Sequence, residues 1–160
     1  MIVAAVVAIL LLSFAGVLLF GAPYLPTLTP QVKIALKFAD LQKGQTILEL
    51  GCGDGKVLIA AAKRGYRAIG YELNPILAAI AWARTRRYGN LVKVHCANFW
   101  TVNLPPAEAV FVFLLPKYMS KLEVKLLQTF PKGVKLVSFA FTVPDRQPAR
   151  EEQGVYIYKF

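Results

Sequence analysis

The first 32 residues contain no Lys, Arg, Asp or Glu; the first charge is Lys33. Cysteine is nearly absent too. Two thiols, Cys52 and Cys96, exclude a disulfide scaffold, and their spacing is no obvious bridge pattern, which fits a reducing compartment. One histidine, His95, leaves no His-based metal cluster, and its place in or at the end of a strand suits a structural role better than that of a base. Eleven glycines are too few for a collagen-like chain, and no internal repeat or low-complexity stretch is present. Acid is scarce, with 9 Asp and Glu against 19 Lys and Arg.

What is present is apolar. The hydrophobic fraction is 56% of 160 residues, above the ~45–50% of an average soluble chain. That excludes disorder, and the length suits one domain. All 28 charged residues (19 basic and 9 acidic) fall in the last 128 positions, a density of about 22%, close to the ~25% of a soluble domain. The chain is therefore an uncharged segment joined to a basic globular domain of net charge +10.

Residues Ile2 to Ala22 contain one polar side chain, Ser13. About 20 helical residues cross a hydrocarbon core, so the stretch reads as a transmembrane anchor. A cleaved signal peptide is the rival, but it needs a basic n-region and an A-x-A-like site, and neither is convincing here. A buried soluble helix is a second rival. Lys33, Lys37 and Lys43 follow the span and no basic residue precedes it. The positive-inside tendency then predicts a single-pass membrane protein with its domain in the cytoplasm. The expected organisation is an anchor over 1–22, a linker and short helix over 23–44, and the main domain over 45–160.

Gly21, Pro23, Pro26 and Pro30 mark a stiff linker. Apolar spacing predicts a helix from Gln31 to Leu41. Further helices are expected over Lys56–Arg64, Pro75–Tyr88 (with Asn74 as cap) and Lys117–Phe130. Strands are expected over Gln45–Leu50, Arg67–Glu72, Leu91–Cys96, Ala109–Leu115, Lys135–Phe141 and Val155–Phe160, the last alternating as an antiparallel edge strand does. This alternation predicts an α/β sandwich with a mostly parallel sheet of about six strands. Only about 19 residues follow the fifth strand, so the end of the domain looks abbreviated. In such sheets a ligand binds at the carboxyl ends of the strands.

Glu49-Leu50-Gly51-Cys52-Gly53-Asp54-Gly55 ends the first strand and opens a helix. Three alternating glycines let the backbone turn tightly beside a ligand. The spacing is neither the G-x-G-x-x-G of NAD-binding loops nor that of a P-loop. Glu49 would repel a pyrophosphate and suits a cationic amine. Glu72, at the end of the second strand, can accept hydrogen bonds from ribose hydroxyls. These features want a ligand with an ammonium group, a ribose and no phosphate, and S-adenosylmethionine meets that description. The bland alternative is a turn that merely needs glycines, with both carboxylates solvated.

The run ELGCGDGK, Glu49 to Lys56, resembles motif I of class I S-adenosylmethionine-dependent methyltransferases. Gly70-Tyr71-Glu72-Leu73-Asn74-Pro75 resembles the second motif of one branch: the membrane-anchored lysine methyltransferases of the ADP/ATP translocase and the ATP synthase c-subunit, with their prokaryotic relatives. Tyr24-Leu25-Pro26-Thr27 is similar to that branch's pre-motif, and the likeness covers about residues 23–160. It implies a Rossmann-like class I methyltransferase sandwich. Glu49, Gly51 and Gly53 would contact the methionine part, with Cys52 in the same turn. Glu72 would hold the ribose, with Leu73 beside it. Asn98 stands where an acid usually meets the adenine amine; the alternative is an Asx-turn. Phe99 or Trp100 would pack beside the adenine or belong to the core. Asp54 would fix the loop and cap the helix rather than touch cofactor.

The N-P-P-Y type of motif of nucleic-acid and glutamine methyltransferases is absent, which makes nucleic acid a less favoured acceptor. Leu114 to Pro116 would form part of the acceptor wall, and Tyr118 and Pro116 are the candidates for touching the substrate. The resemblance implies lysine methylation of a protein in or near the membrane. Methylation of a small molecule or lipid, and a non-catalytic cofactor-binding membrane module, are the alternatives; glycine spacing disfavours an NAD(P) oxidoreductase. Lys63, Arg64, Arg84, Arg86, Arg87, Lys121 and Lys125 are either solvated, laid against anionic lipid, or a nucleic-acid patch.

Overall fold

The computed structural model describes residues 25–160. The expected anchor over 2–22 therefore lies outside the described residues. Among those described, no helix is long and apolar enough to cross a membrane.

Helix α1 (Thr29–Ala39) begins with Pro30 in its first turn, so the last linker proline opens the helix instead of preceding it. Pro has no N–H to lose there. Strand β1 (Thr46–Leu50) leads through the glycine turn into α2 (Lys56–Ala62), then β2 (Arg67–Glu72), α3 (Pro75–Thr85) and β3 (Val92–Cys96). A loop reaches β4 (Ala109–Val112), α4 (Met119–Thr129) and β5 (Lys135–Phe139); a hairpin of β6 (Arg150–Glu152) and β7 (Val155–Lys159) ends the chain.

The sheet order is β3-β2-β1-β4-β5-β7-β6. Strands β1 to β5 pair in parallel, and β7 is antiparallel to both neighbours. Seven strands stand where about six were expected, and β7 is not the edge. The missed strand, Arg150-Glu151-Glu152, is short and charged, with no apolar alternation to reveal it. Gln153 (φ 48°) and Gly154 (φ 74°) make the two-residue left-handed turn that a tight hairpin requires. Charge suits an edge, because it discourages further strand pairing. The residues after β5 thus add two strands to the sheet, where one was expected.

Central strands alternate between two apolar layers. Ile47, Ala68, Phe111 and Val137 pack under α1 and α2 with Leu36, Phe38, Val57 and Leu58. Leu48, Leu50, Val110, Val112 and Leu136 pack on the other side against Met119, Leu122 and Leu126 of α4. Both faces are covered, so these strands read as continuous apolar runs.

Several boundaries fall short of expectation for local backbone reasons. The helix from Pro75 gives way at Arg86 to a 3-10 segment broken by Gly89 (φ 53°, ψ −129°). Strand β4 stops at Val112, and Pro116–Tyr118 forms a 3-10 turn before α4. Strand β5 stops at Phe139 because Ala140 takes φ 69°.

One close approach ties the sheet to the glycine turn. A Cβ on Gly70 would meet Leu58 Cδ1 at 2.6 Å and Cys52 Sγ at 2.7 Å. This explains a small residue at 52 and none larger than glycine at 70. Gly70→Ala is expected to lower stability by roughly 1–3 kcal/mol through overpacking, read as a fall in the urea midpoint at unchanged slope.

Candidate active site

The chain moves outward from β1 through β2 to β3, then returns to β4 on the other side of β1. A crevice opens at the carboxyl ends of the strands at such a switch point. The cavity there is lined by Glu49, Gly51, Cys52, Gly53 and Asp54 from the first turn, Glu72 and Leu73 from the second, and Asn98 and Phe99 from the third. All eight cofactor candidates named from sequence therefore meet in one cavity, together with Trp100 and Tyr118.

Hydrogen bonds build the turn. The Gly51 and Cys52 amides both donate to the Tyr71 carbonyl, at 2.8 and 2.9 Å. The Gly53 amide donates to Glu72 Oε2 at 2.9 Å, and the Asn74 amide to Glu72 Oε1 at 2.8 Å. Glu72 is buried and clasps both strand ends. Each carboxylate oxygen has a second lone pair, so it can still accept from a hydroxyl. Asn74 Oδ1 accepts from Ile76 and Leu77 and caps α3, as its sequence position predicted.

Glu49 is buried, and its Oε2 has no hydrogen-bond partner. Burial pushes its carboxyl well above the usual range, and the nearby Asp54 and Glu72 charges add to this, against the Leu58 backbone N–H. An orphaned buried carboxylate is costly unless a donor meets it. A Cβ on Gly51 would stand in open space, in the cavity that Gly51 lines. An ammonium group beside Glu49 and a backbone-hugging chain over Gly51 fit this cradle. The cavity thus offers acceptors for the ammonium group and the ribose hydroxyls of S-adenosylmethionine. Burial also pushes the Cys52 thiol far up, so it fills space and is no nucleophile.

Asp54 pairs with Arg84 and accepts from the Lys56 amide. It fixes the loop as expected, but the capping position is Gly55, without a side-chain cap. Asn98 Oδ1 accepts from the Trp100 amide at 3.0 Å, the Asx-turn arrangement, while the residue still lines the cavity. Leu114 lines the cavity; Leu115 and Pro116 do not, and Pro116 starts the turn that presents Tyr118. His95 is exposed and stacks on Tyr71, centroids 5.1 Å apart. Lys125 is not simply solvated: its Nζ donates to the Val102 carbonyl at 3.1 Å.

Sequence reasoning passed over Lys56, Val57, Leu77 and Phe113, which also line the cavity. It also left the pre-motif without a role. Leu25, Pro26 and Thr27 form a strap over the cavity, held by Lys56 Nζ, which donates to the Thr27 carbonyl at 2.8 Å. The signal was present in the Pro-Thr pair, but only the fold brings residue 27 to residue 56.

Comparison with known proteins agrees with this geometry. Residues 49–150 match the family described as ANTKMT methyltransferase domain. A protein-lysine N-methyltransferase of Saccharolobus islandicus is 32% identical over 85% of this chain and 92% of its own length. The lysine N-methyltransferase of the ATP synthase c-subunit from Xenopus laevis is 34% identical over 79% of this chain and 56% of its own. The mouse adenine nucleotide translocase lysine N-methyltransferase is 37% identical over the same share of each. The chain spans just over half the length of these two animal relatives. A solved structure, an RNA methyltransferase from Salinibacter ruber in complex with S-adenosyl-L-homocysteine, superimposes with a TM-score of 0.77 at 28% identity, over 85% of this chain and 92% of that one. The orphaned Glu49 beside the glycine cradle, the Glu72 clasp and these matches agree: the chain belongs to the ANTKMT methyltransferase domain family, whose class I fold and S-adenosylmethionine site it carries.

Proposed function

We propose that this chain is a membrane-anchored protein-lysine N-methyltransferase, with its domain on the cytoplasmic side and its acceptor lysine on a protein in or near the membrane. The buried Glu49 carboxylate, its Oε2 without a partner, carries the cofactor half of the reading. The uncharged run over 2–22 and the named substrates of the animal relatives support the membrane half.

The cofactor would supply a sulfonium methyl, open to in-line attack by a neutral amine, with the carbon–sulfur bond breaking and its electron pair leaving on a neutral thioether. Glu49 and the turn backbone hold its amino acid end, and Glu72 holds the ribose. Phe113, Leu114, Trp100 and Tyr118 line the remaining wall. An amine entering along these apolar side chains loses hydration, which favours its neutral, nucleophilic form. The carboxylates of the cavity are Glu49, Asp54 and Glu72, all on the glycine-turn side. Positioning and desolvation, rather than a dedicated base, then carry the rate, and the amine proton leaves to water.

The full chain, given labelled S-adenosylmethionine with host membranes, total RNA and lipid extract in separate reactions, is expected to label a membrane protein on lysine. Mass spectrometry of the labelled band reads the site. Label confined to RNA or lipid would overturn this acceptor class.

A further inference from the structure

Helix α3 leaves a broad face unpartnered. Leu77, Ala78, Ala81 and Thr85 are buried. The rest of its circumference is open, with Ala79 and Ala83 along the middle and Ile80 and Trp82 on the flanks. Ile80 is 41% and Trp82 58% exposed. Leu73, just before the helix, is exposed as well and lines the cofactor cavity. At the other end the helix runs into Arg86 and Arg87, which share a shallow groove with Lys63, Arg84, Ala83 and Ile59. No Asp or Glu occurs between Glu72 and Glu108; Arg84 is paired with Asp54, so the positive charge of this side rests on Arg86, Arg87 and Lys63.

We infer that the exposed face of α3 docks on a bilayer surface that contains anionic lipid. Small and apolar residues along the helix suit shallow insertion at the acyl boundary, and an exposed tryptophan suits the headgroup level. Arg86, Arg87 and Lys63 complement phosphate headgroups. An RNA surface would match the charge, but not the Ile80 and alanine ridge. Leu73 belongs both to this side of the molecule and to the cavity rim, so docking would hold the methyl-transfer site near the headgroups. This deepens the membrane half of the proposed function and rests on it.

Trp82 is the natural probe. The chain has two tryptophans, so the full chain carrying Trp100→Phe reports Trp82 alone. The difference between the parent and its Trp82→Phe variant gives the same signal without relying on Trp100→Phe folding. The chain is reconstituted with phosphatidylcholine vesicles bearing brominated acyl chains, with or without phosphatidylglycerol. Trp82 emission is expected to shift to the blue and be quenched, more so with phosphatidylglycerol. Arg86→Glu with Arg87→Glu should lower the docked-to-undocked ratio about tenfold or more and remove most of the quenching.

If the chain floats with the vesicles while Trp82 stays unquenched, the anchor stands and the docking face is refuted. If it does not float, both fail. Unchanged quenching in the double arginine variant also overturns the inference. So does a blue shift that depends on protein concentration without lipid, which would mark a second copy as the occupant. Trp82 quenching by a single-stranded RNA in place of lipid has the same consequence.

Discussion

Replacing Glu72 with alanine is expected to weaken S-adenosylmethionine binding by roughly 100-fold or more, because hydrogen bonds to a charged group each contribute about 1.5–3 kcal/mol. Two kinds of loss add. The ribose hydroxyls lose their acceptor, and the Gly53 and Asn74 amides lose the oxygens that hold them at 2.9 and 2.8 Å. The turn over Gly51 to Gly53 then has less to keep it in the binding conformation. Glu72→Gln separates these effects. Its amide keeps the shape and one acceptor oxygen, but turns an NH2 group toward one of the two backbone donors. It should fall between the parent and alanine. Calorimetric titration of the full chain in mild detergent reads the affinity, and ligand-free melting reads the stability lost with the clasp. Parent-like binding by Glu72→Ala would remove Glu72 from the site.

The second large effect concerns protons at Glu49. Its carboxyl is raised above the usual range by burial first and by the Asp54 and Glu72 charges next. The folded chain therefore holds this proton more tightly than the unfolded chain does. The stability from this group is whole below the ordinary carboxylate range, where both states are protonated. It is lost as pH rises toward the raised folded value. A ligand ammonium reverses the balance, since it favours the carboxylate. Binding should then release a proton above the ordinary carboxylate range, as long as the α-amino group of the ligand is itself protonated. Affinity should rise with pH through the same window. Calorimetry in two buffers of different ionisation enthalpy measures the release. Glu49→Gln should abolish it and weaken binding about tenfold or more, as a charge-assisted hydrogen bond becomes a neutral one. Equal heats in both buffers for the parent would show that Glu49 is ionised before the ligand arrives.

These two residues also show what could be read in advance. Both carboxylates stand at strand ends beside a glycine turn, and that local pattern carries their chemistry without any knowledge of packing. The same holds for the Asn74 cap, where the side chain acts on amides two and three residues away. Elements with a strong local signal fell close to their expected ranges. The sixth strand did not, because Arg150-Glu151-Glu152 is held by pairing to β7 and has no apolar face to reveal it. The expected ends of β4 and β5 ran too long because apolar composition continues past the point where Leu115-Pro116 and Ala140 turn the backbone; that of α3 ran too long because Arg86, Arg87 and Tyr88 include no helix breaker, yet they take a 3-10 form.

By itself the sequence determined the division into an uncharged segment and a basic domain, the βα alternation, the glycine turn and the two acids that choose the cofactor. Each is a matter of residue type at short spacing. Only the tertiary structure decided that Leu25 to Thr27 line the cavity, that Gly70 must be bare, that Glu49 Oε2 has no protein partner and that one face of α3 stays open. Those depend on which distant surfaces meet: residue 27 against Lys56, β2 against Cys52. Burial then turns an ordinary carboxylate into one that waits for a cation.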